Sequence, residues 1–429
     1  QRSAVFAKKQ VLRRRPMDYF FIERREDMEV IDSAVLSQDI QRITMMAEKK
    51  GIFTEPNTQL TYYTGYSYAT LYDWDQYFEG IIQLYMGHGT TLLKNALEIF
   101  LYLQKPNGHI QRSSDSKSCY KAQLSEHVKP FLAQSVLLIY RHDGTLDFLR
   151  DDMYDKLKKY LLYWLLDRDP NGNSLSVWDS APHTGMDNQH ERAGWWYDCF
   201  CEGVDLNAYL VRECRAFSVI ARLKGNKEDE KLFSEYADRI AQTMQKLMWD
   251  EEDGLFYDLD QRTGKRIRVK YIGIFAAMWA GVATREQAER MVYEHLMNPE
   301  EFLRGFPFPA LAATEKGYSN TVLPDDLGCC WRAQTWIPTN YYVFHALRDY
   351  GYKDLAAFTA YTTYRYVKAI GDREYYNTEL KTGNGLDPFW GWSLLAYFMP
   401  IEQQFGYFPD EITEEQMDFC SYKQFLDKN

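Results

Sequence analysis

From about residue 87 onward, apolar residues recur at helical spacing in blocks of helix-like length, with short turn-like segments between them. TTLLKNALEIFLYLQ ends at Pro106-Asn107-Gly108, PFLAQSVLLIYRH ends at Asp143-Gly144, and TLDFLRDDMYDKLKKYLLYWLLDR ends at Asp169-Pro170-Asn171-Gly172. The series continues with DLNAYLVRECRAFSVIARLKG, EDEKLFSEYADRIAQTMQKLMWD, IGIFAAMWAG, TREQAERMVYEHLM, RAQTWIPTNYYVFHALRDYG and KDLAAFTAYTTYRYVKAIG. Each such helix must bury its apolar face on a neighbour, and short connections make consecutive neighbours antiparallel. The expected architecture is a chain of antiparallel helix pairs. No repeat of about 34 residues with a fixed consensus runs through the chain, which disfavours a regular solenoid. Apolar strands do not alternate with helices as a doubly wound sheet requires.

At 429 residues the chain has length for one large domain or two ordinary ones. The formal charge of -11 and the pI near 5.4 argue against a general nucleic-acid binder, because phosphate neutralisation needs a positive footprint. KKQVLRRR, residues 8 to 15, reads as a solvated N-terminal extension. Seven cysteines at irregular spacing do not make a disulfide framework, and the adjacent pair Cys329-Cys330 is not a zinc pattern. Cys199, Cys201 and Cys214 are expected to be buried, and this usage favours a cytoplasmic setting over a periplasmic or secreted one. FLAQSVLLIY and YLLYWLLD are too short and too interrupted to span a bilayer, so no membrane partner is expected. The chain starts at Gln1 without an initiator Met, which leaves open the removal of a signal peptide.

The segments between alternate helices hold YDWDQYFEG, NGHIQRS, VWDSAPHTGMDN, GCCWRAQTW and EYYNTELKTG, each rich in aromatic, acidic or amide groups. A closed ring of helix pairs would bring them to one end. Two carboxylates stand out. Asp187 follows a Gly-Met turn with Trp178, Trp195 and Trp196 nearby, and Glu374 precedes Tyr375 and Tyr376, with Trp390 and Trp392 downstream. A sugar ring has apolar C–H faces and a polar rim, so its sites combine flat aromatic side chains with a few fixed hydrogen-bonding groups. Splitting a glycosidic bond requires one carboxyl to protonate the leaving oxygen and another to act as base or nucleophile. The plainer alternative makes Asp187 a helix cap and Glu374 a solvated loop charge.

Further candidates surround this pair. In YDWDQYFEG, Trp74 offers a stacking face and Asp75 accepts from hydroxyls; the competing assignment is a helix start with Asp73 as N-cap. The segment lacks calcium-loop spacing and a nearby His, so no metal is expected. Gln111 and Arg112 in NGHIQRS are within reach of a hydroxyl or carboxylate, and His109 reads as a surface loop histidine. Trp331, Arg332, Gln334 and Trp336 form another aromatic and polar set, with Asn340 one turn on, although an Arg so flanked often packs structurally on a ring.

In collinear order, YDWDQYFEG, NGHIQRS, KPFLAQ, GMDNQHER, GCCWRAQTWIPTNYY, EYYNTELKTGNG and FWGWS resemble the motifs of the trehalase and processing-glucosidase families, glycoside hydrolase families 37 and 63. The resemblance is strongest to short bacterial members of family 63 similar to mannosylglycerate and glucosylglycerate hydrolases, and it covers roughly residues 60 to 400. It implies an all-α fold, a six-hairpin (α/α)6 toroid, with an inverting mechanism on α-linked sugars and no required cofactor. It matches the general acid to Asp187 and the general base to Glu374. The sugar-binding Trp-Asp pair matches Trp74 and Asp75, and the Trp-Arg-Gly-x-x-Trp segment matches Trp331, Arg332 and Trp336. Three positions depart from the pattern: Gln189-His190-Glu191-Arg192 replaces Ser-Pro-Arg after the acid, Ala333 replaces a Gly, and Val128 stands where a Gln is usual.

The expected domain layout is an N-terminal extension and first helical segment over 1–50, one catalytic domain over 51–410 and a tail over 411–429. The expected partner is a small carbohydrate; oligomeric state is left open. Catalytic residues are Asp187 and Glu374, with Glu379 and Glu191 in reserve, and substrate contacts are Trp74, Asp75, Gln111, Arg112, Trp178, Trp331, Arg332, Trp336, Tyr376 and Trp392. Burial beside Trp195 or Trp196 is expected to raise Asp187. A glucoside is the first substrate choice and a mannoside the second. Rival functions are a non-catalytic sugar binder, an isomerase or epimerase, and a polysaccharide lyase. Isomerase chemistry usually relies on paired histidines, and of the eight present only His183 and His190 sit in the strongest motifs.

Overall fold

The computed structural model describes residues 24–114, 125–194, 198–305, 307–322, 330–420 and 423–424. Trp195, Trp196, Cys329 and the basic stretch at 8–15 lie outside them. Fourteen α-helices are present among the described residues: α1 Ser33–Lys50, α2 Asp73–Tyr85, α3 Thr91–Tyr102, α4 Leu132–Asp143, α5 Asp151–Leu162, α6 Ala181–Thr184, α7 His190–Ala193, α8 Val204–Leu223, α9 Lys227–Leu247, α10 Ala276–Trp279, α11 Arg285–Arg290, α12 Ile337–Asp349, α13 Lys353–Ile370 and α14 Leu395–Phe405.

Burial sorts the long elements into two layers. Every residue of α2 is buried, as are nearly all of α4, α8, α12 and α14, whereas α1, α5 and α9 bury one stripe each. A helix that is apolar on all sides belongs inside, and one with a single apolar stripe belongs at the surface. The inner helices touch in the sequence α2, α4, α8, α10, α12, α14, and α14 returns to α2. That closure makes a six-hairpin toroid. Outer helices carry the chain back each time, so all six inner helices run in the same direction and start at the same end.

Local chemistry fixes the helix starts. Asp32 accepts from the amides of Ala34 and Val35 at the start of α1, and Thr284 and Gln287 form a capping box at α11. Phe131, before α4, offers no side-chain cap. Instead Glu213 of α8 accepts from the amides of Ala133 and Gln134, so one inner helix caps the next.

The structure departs from the sequence expectation in three ways. YDWDQYFEG is not a loop: β3 (Leu71–Tyr72) ends at Tyr72, and Asp73 opens α2 in its acidic first turn. Tyr72, not Asp73, is the N-cap, because the Asp73 carboxylate is turned to the Lys129 amide at 2.9 Å. Short antiparallel strand pairings also occupy or bridge the connections. They are β1 (Ile52–Thr54) with β2 (Thr61–Tyr63), β3 with β4 (Ser113–Ser114), β5 (Cys201–Glu202) with β8 (Asp258–Asp260) and β9 (Lys265–Ile267), β6 (Trp249–Asp250) with β7 (Leu255–Phe256), and β10 (Tyr375–Asn377) with β11 (Thr382–Asn384). Strands of two or three residues carry too little alternation to register as a period.

Candidate active site

Asp187 stands just past a single helical turn. Ser180 accepts from the His183 amide at the start of α6, Pro182 sits in its first turn, and Gly185 ends it at φ +85°. A Cβ on Gly185 would lie 2.7 Å from the Trp74 ring, so the close approach of turn and indole requires glycine. Behind the turn, Arg112 donates to the carbonyl of Pro182 and to Glu126 at 2.9 Å, and Ser180 Oγ donates to the other Glu126 oxygen at 3.1 Å. Burial pushes the Asp187 carboxyl up to about 6, while the charges of Arg112 and Lys129 pull it down.

Glu374 arrives at the edge of β10. Its Oε2 accepts from the Leu386 amide at 3.0 Å, and Ser393 Oγ donates to its carbonyl at 2.9 Å. Gly385, at φ +72°, lets the chain pass this carboxylate: a Cβ there would lie 2.4 Å from Oε2. Burial pushes Glu374 up to about 7, the Leu386 amide pulls it down, and the charge of Asp187 adds to the rise. The two carboxyls therefore sense each other.

An aromatic wall joins the two. Trp331 and Trp336 stack at 4.0 Å with 3° between planes, Tyr375 stacks on Trp336 at 4.6 Å, and Trp392 meets Trp74 edge-on at 5.5 Å and Trp336 at 5.7 Å. Trp336 Nε1 donates to the Cys330 carbonyl at 2.8 Å, whereas the buried indole N–H groups of Trp331 and Trp392 have no hydrogen-bond partner among the described residues. Beneath Trp74, Lys129 pairs with Asp73 at 3.2 Å, both without exposed surface. Asp75 accepts from Tyr66 Oη at 2.9 Å and is pushed up to about 7 by burial and by the charge of Asp73. Glu79, one turn on, accepts from the Gly65 amide at 2.8 Å and is driven well above the usual carboxylate range by burial and by Asp75.

The structure thus brings together Asp187, Glu374, Trp74, Asp75, Arg112, Trp331, Trp336 and Trp392. Trp178 is elsewhere: it is fully buried, roughly perpendicular to Trp164 and His183, and its Nε1 donates to Asp205 at 2.9 Å, so no face is left for a sugar. Tyr376 is a brace. Its hydroxyl donates to the Gly371 carbonyl and accepts from the Arg373 amide, both at 3.0 Å, while Tyr375, the next position along the pleat, faces the indoles. Gln111 donates to the Ser113 carbonyl at 2.8 Å, and Arg332 to the Gly317 carbonyl at 2.9 Å. Of the reserve carboxylates, Glu379 is held low by Asn320 and Arg304, and Glu191 faces Arg332 at 3.8 Å. His183 is occupied by the His127 carbonyl at 2.7 Å and by Asp179.

Sequence reasoning missed the groups that weld the loops. Asn188 Oδ1 accepts from the Trp331 amide and Gln189 Nε2 donates to the Trp331 carbonyl, each at 2.8 Å, so the two residues after Asp187 grip the backbone on both sides of one residue. Arg192, fully buried, pairs with Asp205 and with Asp258 at 3.0 Å and covers the Tyr271 ring at 3.8 Å. The segment that departs from the expected motif is thereby given a structural job. Among the described residues no group of three His, Cys, Asp or Glu is arranged to hold a metal, and no helix is long and apolar enough to cross a membrane.

Comparison with known proteins gives a family and a fold. Residues 68–393 match a family described as a mannosylglycerate hydrolase MGH1-like glycoside hydrolase domain. A mannosylglycerate hydrolase of Rubrobacter radiotolerans is 28% identical over 204 residues, which is 46% of this chain and 44% of the relative. The chain spans less than half the length of the curated relatives it matches, the Rubrobacter protein and a probable trehalase of Eremothecium gossypii at 34% identity over 16% of its length. Among solved structures, a GH63 mannosylglycerate hydrolase of Thermus thermophilus in complex with glucose superposes with TM-score 0.66 at 21% identity, covering 83% of this chain and 99% of the other. The neutral trehalase of Saccharomyces cerevisiae gives TM-score 0.61 at 19% identity over 88% of this chain and 78% of its own. At such identities the likeness establishes the toroid.

Proposed function

The chain belongs to the mannosylglycerate hydrolase MGH1-like glycoside hydrolase family, and from that premise we propose that it cleaves a short α-linked glycoside with inversion, Asp187 serving as general acid and Glu374 as general base. The observation that carries the proposal is a pair of carboxyls, each raised by burial, with Glu374 raised further by the charge of Asp187, beside one continuous aromatic wall. Asp187 gives its proton to the glycosidic oxygen as the bond to the anomeric carbon breaks. Glu374 takes a proton from the water that attacks the opposite face. Hydroxyls of the sugar supply the partners that the indole N–H groups of Trp331 and Trp392 lack.

The proton must sit on the right partner. With Asp187 near 6 and Glu374 near 7, the pair holds a single proton between those values. In the open site Glu374 keeps it, because Arg112 and Lys129 stabilise ionised Asp187. A substrate seated over Asp187 strips its remaining water and raises it, which transfers the proton to the group that donates it.

Mannosylglycerate and glucosylglycerate head the candidate substrates, since relatives in Rubrobacter and Thermus are named mannosylglycerate hydrolases; α-linked disaccharides such as trehalose come next. Anomer-resolved NMR of the first product formed from each is the deciding experiment. Release of the β-anomer is expected. The α-anomer as first product overturns inversion, and glucose binding without turnover of any of these substrates leaves a sugar-binding protein.

A further inference from the structure

At the end of the ring away from Asp187, a cavity of about 640 Å³ opens between the C-terminal half of α8, the last turn of α12, the start of α11 and residues 410–412. Its volume is that of a small-molecule site. Arg212, Arg215, Arg285 and Arg348 line it, and their charges are unequally answered. Arg212 lies 3.6 Å from the Trp279 ring centroid and donates to Gln134 Oε1 at 3.0 Å and to the carbonyls of Trp279 and Asp410. Arg348 pairs with Asp349 and with Glu411 at 3.4 Å, yet its Nη1 is buried without a hydrogen-bond partner. Asp410 is engaged by His345 at 2.9 Å and by Trp279 Nε1 at 2.6 Å.

Arg215 and Arg285 are different. Arg215 donates to the carbonyl of Ala280 and has no carboxylate within ion-pair distance among the described residues; Asp238 reaches it only by longer-range attraction. Loss of water around it and the nearby charge of Arg212 both disfavour its charged form. Arg285, on the exposed first turn of α11, has no ion pair among the described residues. Two positive charges thus face a ligand-sized space whose apolar wall includes Tyr350 and Ile412.

We propose that this cavity binds the phosphate monoester of a small metabolite, its dianion held by Arg215 and Arg285 and its organic part resting on Tyr350 and Ile412. A dianion matches the two unanswered charges, and guanidinium forks suit phosphate oxygens. Isothermal titration calorimetry of the full chain with glycerol 3-phosphate, inorganic phosphate and glycerol tests it. The ester is expected to bind at one site per chain, more tightly than inorganic phosphate, with no heat from glycerol. Arg285→Ala and Arg215→Gln should each weaken the ester by about tenfold while leaving glycoside turnover in phosphate-free buffer unchanged. Absence of ester binding overturns the proposal, as does an unchanged affinity in Arg285→Ala, whose exposed site makes that variant decisive even where Arg215→Gln unfolds. Equal affinity for ester and inorganic phosphate overturns the part played by Tyr350 and Ile412. No outcome depends on which glycoside is cleaved.

Discussion

Lys129 has no exposed surface, and its ammonium lies 3.2 Å from both oxygens of Asp73 and 5.4 Å from the Trp74 ring centroid. Removing one member of a buried ion pair strands the other, which costs about 3–5 kcal/mol. Lys129→Met is expected to lose stability of that order in urea titration, and adding Asp73→Asn should recover most of it; a single variant as stable as the parent would contradict this account. At the carboxyl pair, Asp187→Asn and Glu374→Gln should each lower kcat by about 10²–10⁴, whereas Glu379→Gln, which only breaks an ion pair with Arg304, should keep near-parental turnover. The kcat/KM profile should be a bell with limbs near 6 and 7: turnover fails below, where both carboxyls are protonated, and above, where neither is. A flat profile from pH 5 to 8 would remove the pair from the chemistry. At this scale the sequence was partly legible. Asp187, Glu374 and the indoles were marked by residue type and local company. Tyr375 was passed over for Tyr376 because only the pleat of β10 decides which ring turns to Trp336, and the grip of Asn188 and Gln189 on Trp331 joins positions with no spacing relation in the chain.

Among elements, α1 is tied to the loop that carries Glu374. Arg42 pairs with Asp372 and donates to Tyr397 Oη at 2.8 Å, and Tyr397 in turn donates to Asp372 at 2.7 Å, two residues before Glu374. Arg42→Ala is expected to cost only about 1 kcal/mol in stability, since the arginine is half exposed, but to lower kcat more than KM through a loosened loop; equal turnover in parent and variant would sever the link. The outer helices from α3 onward and most inner ones were readable from apolar spacing, because a helix of twelve or more residues repeats its buried stripe several times. Two inner helices escaped. α2 is buried on all sides, so no polar face marks its period, and its acidic first turn resembles a loop motif. α14 carries Pro400, which normally argues against a helix interior. The long apolar stretches at 163–167 and 291–296 continue α5 and α11 as wider π-helical turns, a change of pitch that residue spacing does not announce.

For the whole molecule, His345 is the pin of the ring. Fully buried on α12, it lies 2.8 Å from Glu402 of α14 and 2.9 Å from Asp410, while Glu402 also accepts from Tyr85 of α2 and Tyr341 of α12. The attraction of Asp410 and Glu402 outweighs burial and raises the imidazole from 6.5 to about 9. Because the folded value is the higher one, this contribution is complete below about 6.5 and is lost as pH climbs through 9. Unfolding free energy should fall by on the order of 3 kcal/mol over that interval, and His345→Gln should lack the slope; a parent curve that stays level from pH 7 to 9.5 would refute the assignment. One further consequence follows from the common direction of the inner helices. Their peptide dipoles reinforce one another at the centre of the ring, while the outer helices that oppose them are bathed in water and screened. Each inner N-terminus carries the equivalent of about half a positive charge, so the mouth around Asp187 and Glu374 is the positive pole of the ring.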